Sequence, residues 1–356
     1  MDRIANRLFM VATVTIFAWT WTHPAVSLGH FATPVVQYTG LALSMWFAGG
    51  LILFCLALIR QAMGGVKAGV AADQDRFAFL KEWIAQQSRT RFLNVITPLL
   101  AFVVTMASFT VHKTVVLPLA GFDWDTRFIT LDRALFLGQD PWVLSHAVFG
   151  SARATWVVDQ FYHAWFYPMI IAYVLCALMT RGTLARACYI GTFLVSWFVI
   201  GCVLAGLLAS AGPVYEGALF EAAGQFDPLK ARLTEQAAAV EGIASQVFQA
   251  ELLSGYEAGK VGLGYGISAM PSMHVALAAM WALLFFGINR WLGVAGVAYT
   301  IFIWIGSVHL GWHYAADGIA SSALVVLIWG ALRWMILRLT SDATARDEDL
   351  QKIPGE

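Results

Sequence analysis

The sequence contains little charge and few cysteines. Only 12% of its 356 residues are charged, far below the roughly 25% of a soluble domain, whereas 59% are hydrophobic. The formal net charge is zero, which excludes an overall electrostatic attraction to nucleic acid or to anionic substrates. Cys55, Cys176, Cys188 and Cys202 all lie inside apolar runs, so we expect packing residues rather than disulfides. The composition therefore predicts a membrane protein.

The sequence also lacks a clear signal-peptide cleavage site after its first apolar run. Arg3 and Arg7 precede this run, but no small-x-small site follows, so we expect an uncleaved first helix. Runs of about 20 mostly apolar residues predict membrane-spanning helices. The predicted spans are residues 8–28, 39–59, 93–118, 156–179, 185–210, 271–288, 292–310 and 314–338. They predict an all-α, polytopic membrane bundle of about eight helices.

Lysine and arginine predict the orientation, because short cytoplasmic loops retain positive charge. With the N-terminus inside, 15 of the 22 basic residues fall on the cytoplasmic side and 7 on the other. Both termini are therefore expected in the cytoplasm. Residues 1–92 then hold two spans and a basic amphipathic segment at 73–91, and residues 341–356 form a short disordered tail.

The remaining segment, residues 93–340, holds six spans and two long non-cytoplasmic connections. Residues 119–155 combine aromatic and acidic side chains, which is consistent with a location at the membrane interface. Residues 211–269 include apolar residues at near-helical spacing, which predicts an amphipathic helix that could act as a lid.

One candidate catalytic motif begins the last span. Asp317 follows His313 by four residues, so on a helix its carboxylate can hold one ring nitrogen and leave the other free. Such a histidine is a good nucleophile towards phosphorus. The same pair could also be a structural hydrogen bond between two turns.

Two further features are predicted at the same membrane face. Pro271 and Ser272 begin the sixth span, where free backbone amides suit an anion, and His274 follows as a candidate general acid. Lys113 ends the third span as a candidate phosphate ligand, although interfacial lysines more often contact lipid headgroups.

These motifs resemble the type 2 phosphatidic acid phosphatase superfamily, and most closely its branch of inositol phosphorylceramide synthase-like phosphotransferases. The similar strings are Pro271-Ser272-Met273-His274-Val275-Ala276, His313-Tyr314-Ala315-Ala316-Asp317, Leu131-Asp132-Arg133 with Gln139-Asp140-Pro141-Trp142, and Gly212-Pro213-Val214-Tyr215. The resemblance covers about residues 93–338. It implies a six-helix catalytic core without cofactor or metal, in which His313 attacks phosphorus, His274 protonates the leaving group and Asp317 orients His313.

The sequence departs from the superfamily pattern at three positions. Met273 stands where a glycine is usual, Ser307 where an arginine is expected, and Gly212 precedes the proline where the family has arginine. Two phosphate clamps are therefore missing. The candidates for phosphate and substrate contacts are Lys113, Ser272, Pro213, Tyr215, His309 and Tyr314, with Arg127 and Arg133 as further cations. A metal site at His309 and His313 lacks a further ligand beyond Asp317, so none is predicted.

The favoured function is therefore a lipid phosphotransferase or phosphatase acting on a phospholipid or lipid phosphate. A second lipid or a polyol is the expected acceptor if the reaction is a transfer, and nucleic acid is not an expected partner. We expect a bacterial inner membrane with a periplasmic site. A non-enzymatic lipid transporter or scaffold and an inactive superfamily member are the alternatives, although charges clustered at one face argue against a transporter.

Overall fold

The structure is a computed structural model that describes residues 2–68, 89–178 and 183–351. In these ranges the chain is helical and contains no strand, which confirms the all-α prediction. Residues 73–88 of the predicted basic segment lie outside the described residues. The main helices are α1 Asp2–Trp21, α2 Leu28–Ala68, α3 Arg89–Val111, α4 Asp125–Leu135, α5 Pro141–Phe149, α6 Ala152–His163, α7 Phe166–Leu178, α8 Leu184–Phe198, α9 Asp227–Ala239, α10 Ser245–Glu257, α11 Met273–Phe286, α12 Arg290–His309 and α13 Ala315–Gln351.

Seven helical stretches in the described ranges are long and apolar enough to cross a membrane. They are Asp2–Trp21, Leu28–Ile52, Phe92–Ala120, Ala152–Leu178, Leu184–Leu207, Arg290–His309 and Ala315–Ala343. The remaining predicted span, 271–288, corresponds to α11, which is apolar but has only 14 residues. The polytopic bundle predicted from the sequence is therefore present.

The described helices differ from the predicted segments at two boundaries. The first span begins at Asp2 rather than residue 8, because polar groups at its start are satisfied inside the bundle: Asn94 donates to Asp2 and Asn6 donates to Asn94, each at 2.8 Å. The predicted disordered tail is helical as far as Gln351, since residues 341–351 contain alanine, arginine and glutamate, which favour helix.

The helices alternate in direction through the bundle. The connections at residues 22–27, 121–151, 208–272 and 310–314 therefore lie at one end, which we call the site face. Close packing positions α11 against α12 beneath this face. A β-carbon on Gly296 would lie 2.7 Å from the α-carbon of Ala282, so only glycine allows the two backbones to approach this closely.

The long connection 208–272 contains two helices rather than one. The predicted amphipathic stretch is divided between α9 and α10, and the break at residues 240–244 lets α10 turn back across α9. Leu229 and Leu233 of α9 are buried, whereas Val247 and Phe248 of α10 are exposed. The two helices together cover the site face.

Candidate active site

His313 lies in the tight turn between α12 and α13. Gly311 makes this turn possible, because it has a φ of +75° and a β-carbon there would lie 2.5 Å from Val214. The His313 Nδ1 atom is 2.8 Å from the carbonyl oxygen of Ala269 and 3.2 Å from Asp317 Oδ2. Both neighbours are acceptors, so Nδ1 carries the proton and Nε2 keeps a free lone pair.

Asp317 is fully buried one turn into α13, behind the His313 ring. Its Oδ2 also accepts a hydrogen bond of 3.0 Å from the backbone amide of Tyr314. Its Oδ1 has no hydrogen-bond partner among the described residues. A carboxylate with an unsatisfied oxygen can stabilise positive charge as the imidazole bonds to an electrophile.

His274 lies in the first turn of α11, and its ring centroid is 5.8 Å from that of His313. Ser272 caps this helix, with its hydroxyl accepting from the Val275 amide at 3.5 Å. The His274 ring is stacked on Tyr162 at 4.8 Å and meets Trp165 edge-on at 4.3 Å. Aromatic walls therefore fix the second histidine beside the first.

Lys113 lies near this pair at the end of the third span, where a π-helical turn follows α3. Its stem packs against Gly266 in the loop before α11, since a β-carbon on Gly266 would lie 2.7 Å from Lys113 Cγ. Its ammonium lies 5.9 Å from the centroid of the Phe109 ring, and among the described residues no carboxylate forms an ion pair with it. An unpaired ammonium beside two histidines suits a phosphate.

Pro213 and Tyr215 belong to a short helical turn that packs against the His313 loop. The Val214 amide donates to the Gly311 carbonyl at 3.2 Å. Tyr215 itself is buried and donates to the Gln249 carbonyl of α10 at 3.4 Å. These two residues therefore pack around the turn that carries His313, and Pro213 lines a small cavity together with His313.

His309 is not brought together with His313, although it precedes it by four residues. Its Nδ1 is 3.2 Å from the Ser145 hydroxyl and its Nε2 is 2.9 Å from the Thr155 hydroxyl. Its ring is stacked on His146 with centroids 3.7 Å apart. Because both nitrogens are engaged in the packing of α12 against α5 and α6, His309 is a structural residue.

Arg127 and Arg133 are also engaged elsewhere. The Arg127 guanidinium lies over the Trp124 ring at 4.4 Å. Arg133 donates two hydrogen bonds to Asp140, at 2.7 and 2.9 Å. At the position of the missing motif arginine, the buried Ser307 donates to the Trp304 carbonyl at 2.7 Å. Of these predicted cations, Lys113 is the one that packs against the loop leading into α11, through Gly266.

Two buried carboxylates of α4 hold the turn that carries His313, a role that the sequence motifs did not reveal. Asp125 accepts from the backbone amides of Ala211 and Gly212 and, at 2.7 Å, from the Tyr314 hydroxyl. Asp132 accepts from the amides of Ala315 and Ala316, the first residues of α13, at 2.7 and 2.8 Å. Tyr314 therefore orients the turn and does not contact the histidine pair through its hydroxyl.

Burial changes the pKa of groups around this turn. It raises the pKa of the Asp125 and Asp132 carboxyls to about 6, and the hydrogen bonds that they accept oppose this shift only in part. Burial also lowers the pKa of His146 to about 4. The site face therefore contains several groups that titrate below neutral pH.

A third histidine, His163, was also missed because no motif marks it. Its Nδ1 is 2.9 Å from the Asp159 carbonyl oxygen, so Nε2 is the free nitrogen. Its side chain is 25% exposed, and its ring packs at a tilt against Phe248 of α10 and edge-on against Trp312, with centroids 5.0 and 6.4 Å apart. His163 therefore lies between the histidine pair and the covering helix.

The geometry and one comparison point to the same chemistry. A nucleophilic nitrogen, a second imidazole and an ammonium surround a site suited to phosphoryl transfer. The family model described as PAP2 superfamily matches residues 126–331, which is more than half of the chain and includes His274, His313 and Asp317. No curated protein and no solved structure matches the chain.

Proposed function

Because this chain belongs to the PAP2 superfamily, we propose that it is an integral membrane enzyme that cleaves a lipid phosphate ester through a phosphohistidine. The observation that carries the proposal is the geometry of His313. Its Nδ1 is held by Ala269 and Asp317, and its free Nε2 lies on the ring that faces His274. A nucleophile, an orienting carboxylate and a proton donor are thereby assembled.

The first half-reaction requires a proton on His274, which the negative charge of a bound phosphate favours. The His313 Nε2 lone pair forms a bond to phosphorus while the bond between phosphorus and the lipid oxygen breaks, and His274 gives its proton to that oxygen. In the second half-reaction an acceptor hydroxyl or water attacks phosphorus and returns its proton to His274. The electron pair of the P–N bond returns to Nε2, so the enzyme is regenerated without a metal or cofactor.

The phosphate oxygens are proposed to contact Lys113 and His163. The superfamily arginines are absent here, and these two side chains are the cationic or potentially cationic groups whose charge acts on His274 besides His313. The Ser272 hydroxyl at the start of α11 is a further ligand, since the amides of a helix N-terminus favour an anion.

Transfer to a second lipid or a polyol is preferred over hydrolysis. The motif strings resemble the inositol phosphorylceramide synthase-like branch, and α9 and α10 cover the site face, which favours exclusion of water from the intermediate. The distribution of lysine and arginine favours a periplasmic site in a bacterial inner membrane, with both termini in the cytoplasm.

The test uses purified enzyme and lipids carrying a radiolabelled phosphate. We expect wild type to form a labelled protein adduct that is stable in alkali and labile in acid, and His313→Ala to form none and to lose all turnover. Thr340→Ala, a substitution on the same helix far from the site face, is the matched control for folding. Equal turnover in wild type and His313→Ala would contradict the mechanism, and no turnover on any lipid would favour a scaffold.

The labelled product shows which acceptor is used, because water yields free phosphate and a lipid or polyol hydroxyl yields a new phospholipid. Radiolabel recovered in a new phospholipid when diacylglycerol, ceramide or a polyol is added supports transfer. Radiolabel recovered only as inorganic phosphate under all these conditions contradicts it and leaves a phosphatase.

A further inference from the structure

The helices α4 and α5 form a hairpin at the site face with an unusually apolar exposed surface. Neither helix belongs to a membrane-spanning stretch. Leu131 and Leu135 of α4 are 41% and 51% exposed, and Leu144 and Val148 of α5 are 43% and 74% exposed. Each pair is spaced by four residues, so each helix carries one apolar stripe.

Leu137 lies at the tip of this hairpin and is 97% exposed. It has a φ of +56°, a conformation that few residues other than glycine adopt. A leucine held in such a conformation with its whole side chain outside the protein is costly in water, because the apolar surface stays hydrated. The same side chain is stabilised if hydrocarbon surrounds it.

The hairpin surface also carries little free charge, since its exposed cation Arg127 lies at the start of α4 with its guanidinium over the Trp124 ring. Between residues 128 and 152 the charged side chains are Asp132, Arg133 and Asp140. Asp132 is buried against α13, and Arg133 and Asp140 neutralise each other through two hydrogen bonds. The exposed side of this segment therefore presents no unpaired charge, as expected of a surface in contact with lipid.

Three backbone amides of the turn find acceptors within the protein. The amides of Phe136, Gly138 and Gln139 donate to the carbonyls of Asp132, Arg133 and Phe136 at 2.9, 2.7 and 3.1 Å. Backbone groups in a membrane must find partners within the protein, and these do. The apolar surface also continues onto the spanning helix α6 through the exposed Val157 and Phe161.

We propose that the α4–α5 hairpin is embedded in the membrane leaflet at the site face, with Leu137 inserted among the acyl chains. The opposite side of the hairpin holds the catalytic turn, because Asp132 caps α13 and Ser145 contacts His309. The hairpin thus connects the lipid phase to the base of the His313 loop. This inference rests on exposure, charge and hydrogen bonds and is independent of the reaction catalysed.

The test places the polarity-sensitive fluorophore NBD at position 137. The background is Cys55→Ser, because Cys55 is exposed and the other three cysteines are buried. Leu137→Cys is labelled in the full chain and reconstituted into phosphatidylcholine and phosphatidylglycerol vesicles. Ile171→Cys, on the lipid-facing side of α7, and Glu235→Cys, on the exposed side of α9, are the matched references.

We expect NBD at position 137 to emit at shorter wavelength, to be quenched by nitroxide-labelled lipids and to resist iodide, as at position 171. Emission and iodide quenching like those at position 235 would overturn the proposal. Protection from both quenchers would also overturn it, because a second copy or another protein would then cover the surface. Leu144→Cys replaces Leu137→Cys if the latter does not fold, with the same expected results.

Discussion

The proposed nucleophile, His313, is oriented by one backbone carbonyl and one carboxylate that share its Nδ1 atom. The carbonyl of Ala269 lies at 2.8 Å and Asp317 Oδ2 at 3.2 Å, so the carbonyl alone can fix the tautomer. In the proposed mechanism the carboxylate has a separate role, which is to stabilise the positive charge of the ring during bonding to phosphorus. These two roles can be separated by mutation.

Asp317→Asn is expected to lower kcat by about 10³-fold while changing KM little, because the variant loses charge behind the ring and keeps its shape. The measurement is turnover of the labelled lipid at saturating concentration. Ser321→Ala is the control, since its hydroxyl donates only to the Asp317 backbone carbonyl. Activity within about tenfold of wild type would contradict this role for the carboxylate.

His163→Ala is expected to raise KM about 10-fold to 100-fold, because the substrate phosphate loses one charge-assisted hydrogen bond. The kcat value should change less. Phe248→Ala distinguishes phosphate binding by His163 from packing of His163 against α10. It removes the ring that packs on His163 and leaves the imidazole in place. If both variants raise KM equally, His163 acts only by supporting α10.

At the residue scale, local spacing predicted the contacts that a helix makes with itself. The pair His313 and Asp317, four residues apart, forms the expected contact. The same spacing placed His309 beside His313, but three partners from α5 and α6 hold its ring elsewhere. His163 could not be found in this way because its importance depends on a neighbour more than 100 residues away, His274.

At the scale of secondary-structure elements, four carboxylates connect separate segments of the chain. Each accepts hydrogen bonds from two consecutive backbone amides. Asp125 binds residues 211 and 212, Asp132 binds 315 and 316, Asp159 binds 244 and 245, and Glu216 binds 225 and 226. All four are buried. Each therefore fastens a loop or helix start to another element, and three of the four fasten parts of the connection 208–272.

Asp159→Ala is expected to loosen α10, because the first amides of that helix lose their acceptor at a cost of about 1–3 kcal/mol. The measurable result is a larger share of free phosphate relative to transferred phosphate, since water then reaches the intermediate. Asp227→Ala is the control, because its ion pair with Lys230 is largely exposed and contributes little. An unchanged product ratio in Asp159→Ala would show that α10 does not exclude water.

The sequence predicted the spanning helices, which depend on the length of apolar runs. It did not predict the break in the long connection, which depends on a long-range contact. The spanning helices are long apolar runs and were located from composition alone. The break between α9 and α10 at residues 240–244 was missed, because Asp159 in α6 binds the amides that begin α10. An apolar periodicity carries no information about such a distant acceptor.

At the scale of the whole molecule, buried acids and a buried histidine give opposite pH dependences of stability. The raised pKa values of Asp125 and Asp132 mean that the folded state holds their protons more tightly. Their contribution is complete below about pH 4 and is lost as pH rises through about 6. The lowered pKa of His146 acts in the other direction, since its contribution is present above about pH 6.5 and is lost as pH falls through about 4.

The two effects are separable by measuring Tm at pH 5 and pH 7 for three proteins. His146→Gln removes the histidine effect, so its Tm at pH 5 should rise relative to pH 7 when compared with wild type. Asp125→Asn removes a carboxyl effect, so its Tm at pH 7 should rise relative to its Tm at pH 5 when compared with wild type. Identical differences in all three proteins would show that these groups do not control the pH dependence.

The contact at Gly212 restricts the mutational paths open to this chain. A β-carbon at this position would lie 2.5 Å from the Trp312 carbonyl oxygen, and the residue has a φ of +102°. An arginine side chain at this position would therefore displace the loop that carries His313. The phosphate-binding charge that we propose for Lys113 cannot be supplied from position 212 while the loop keeps this conformation.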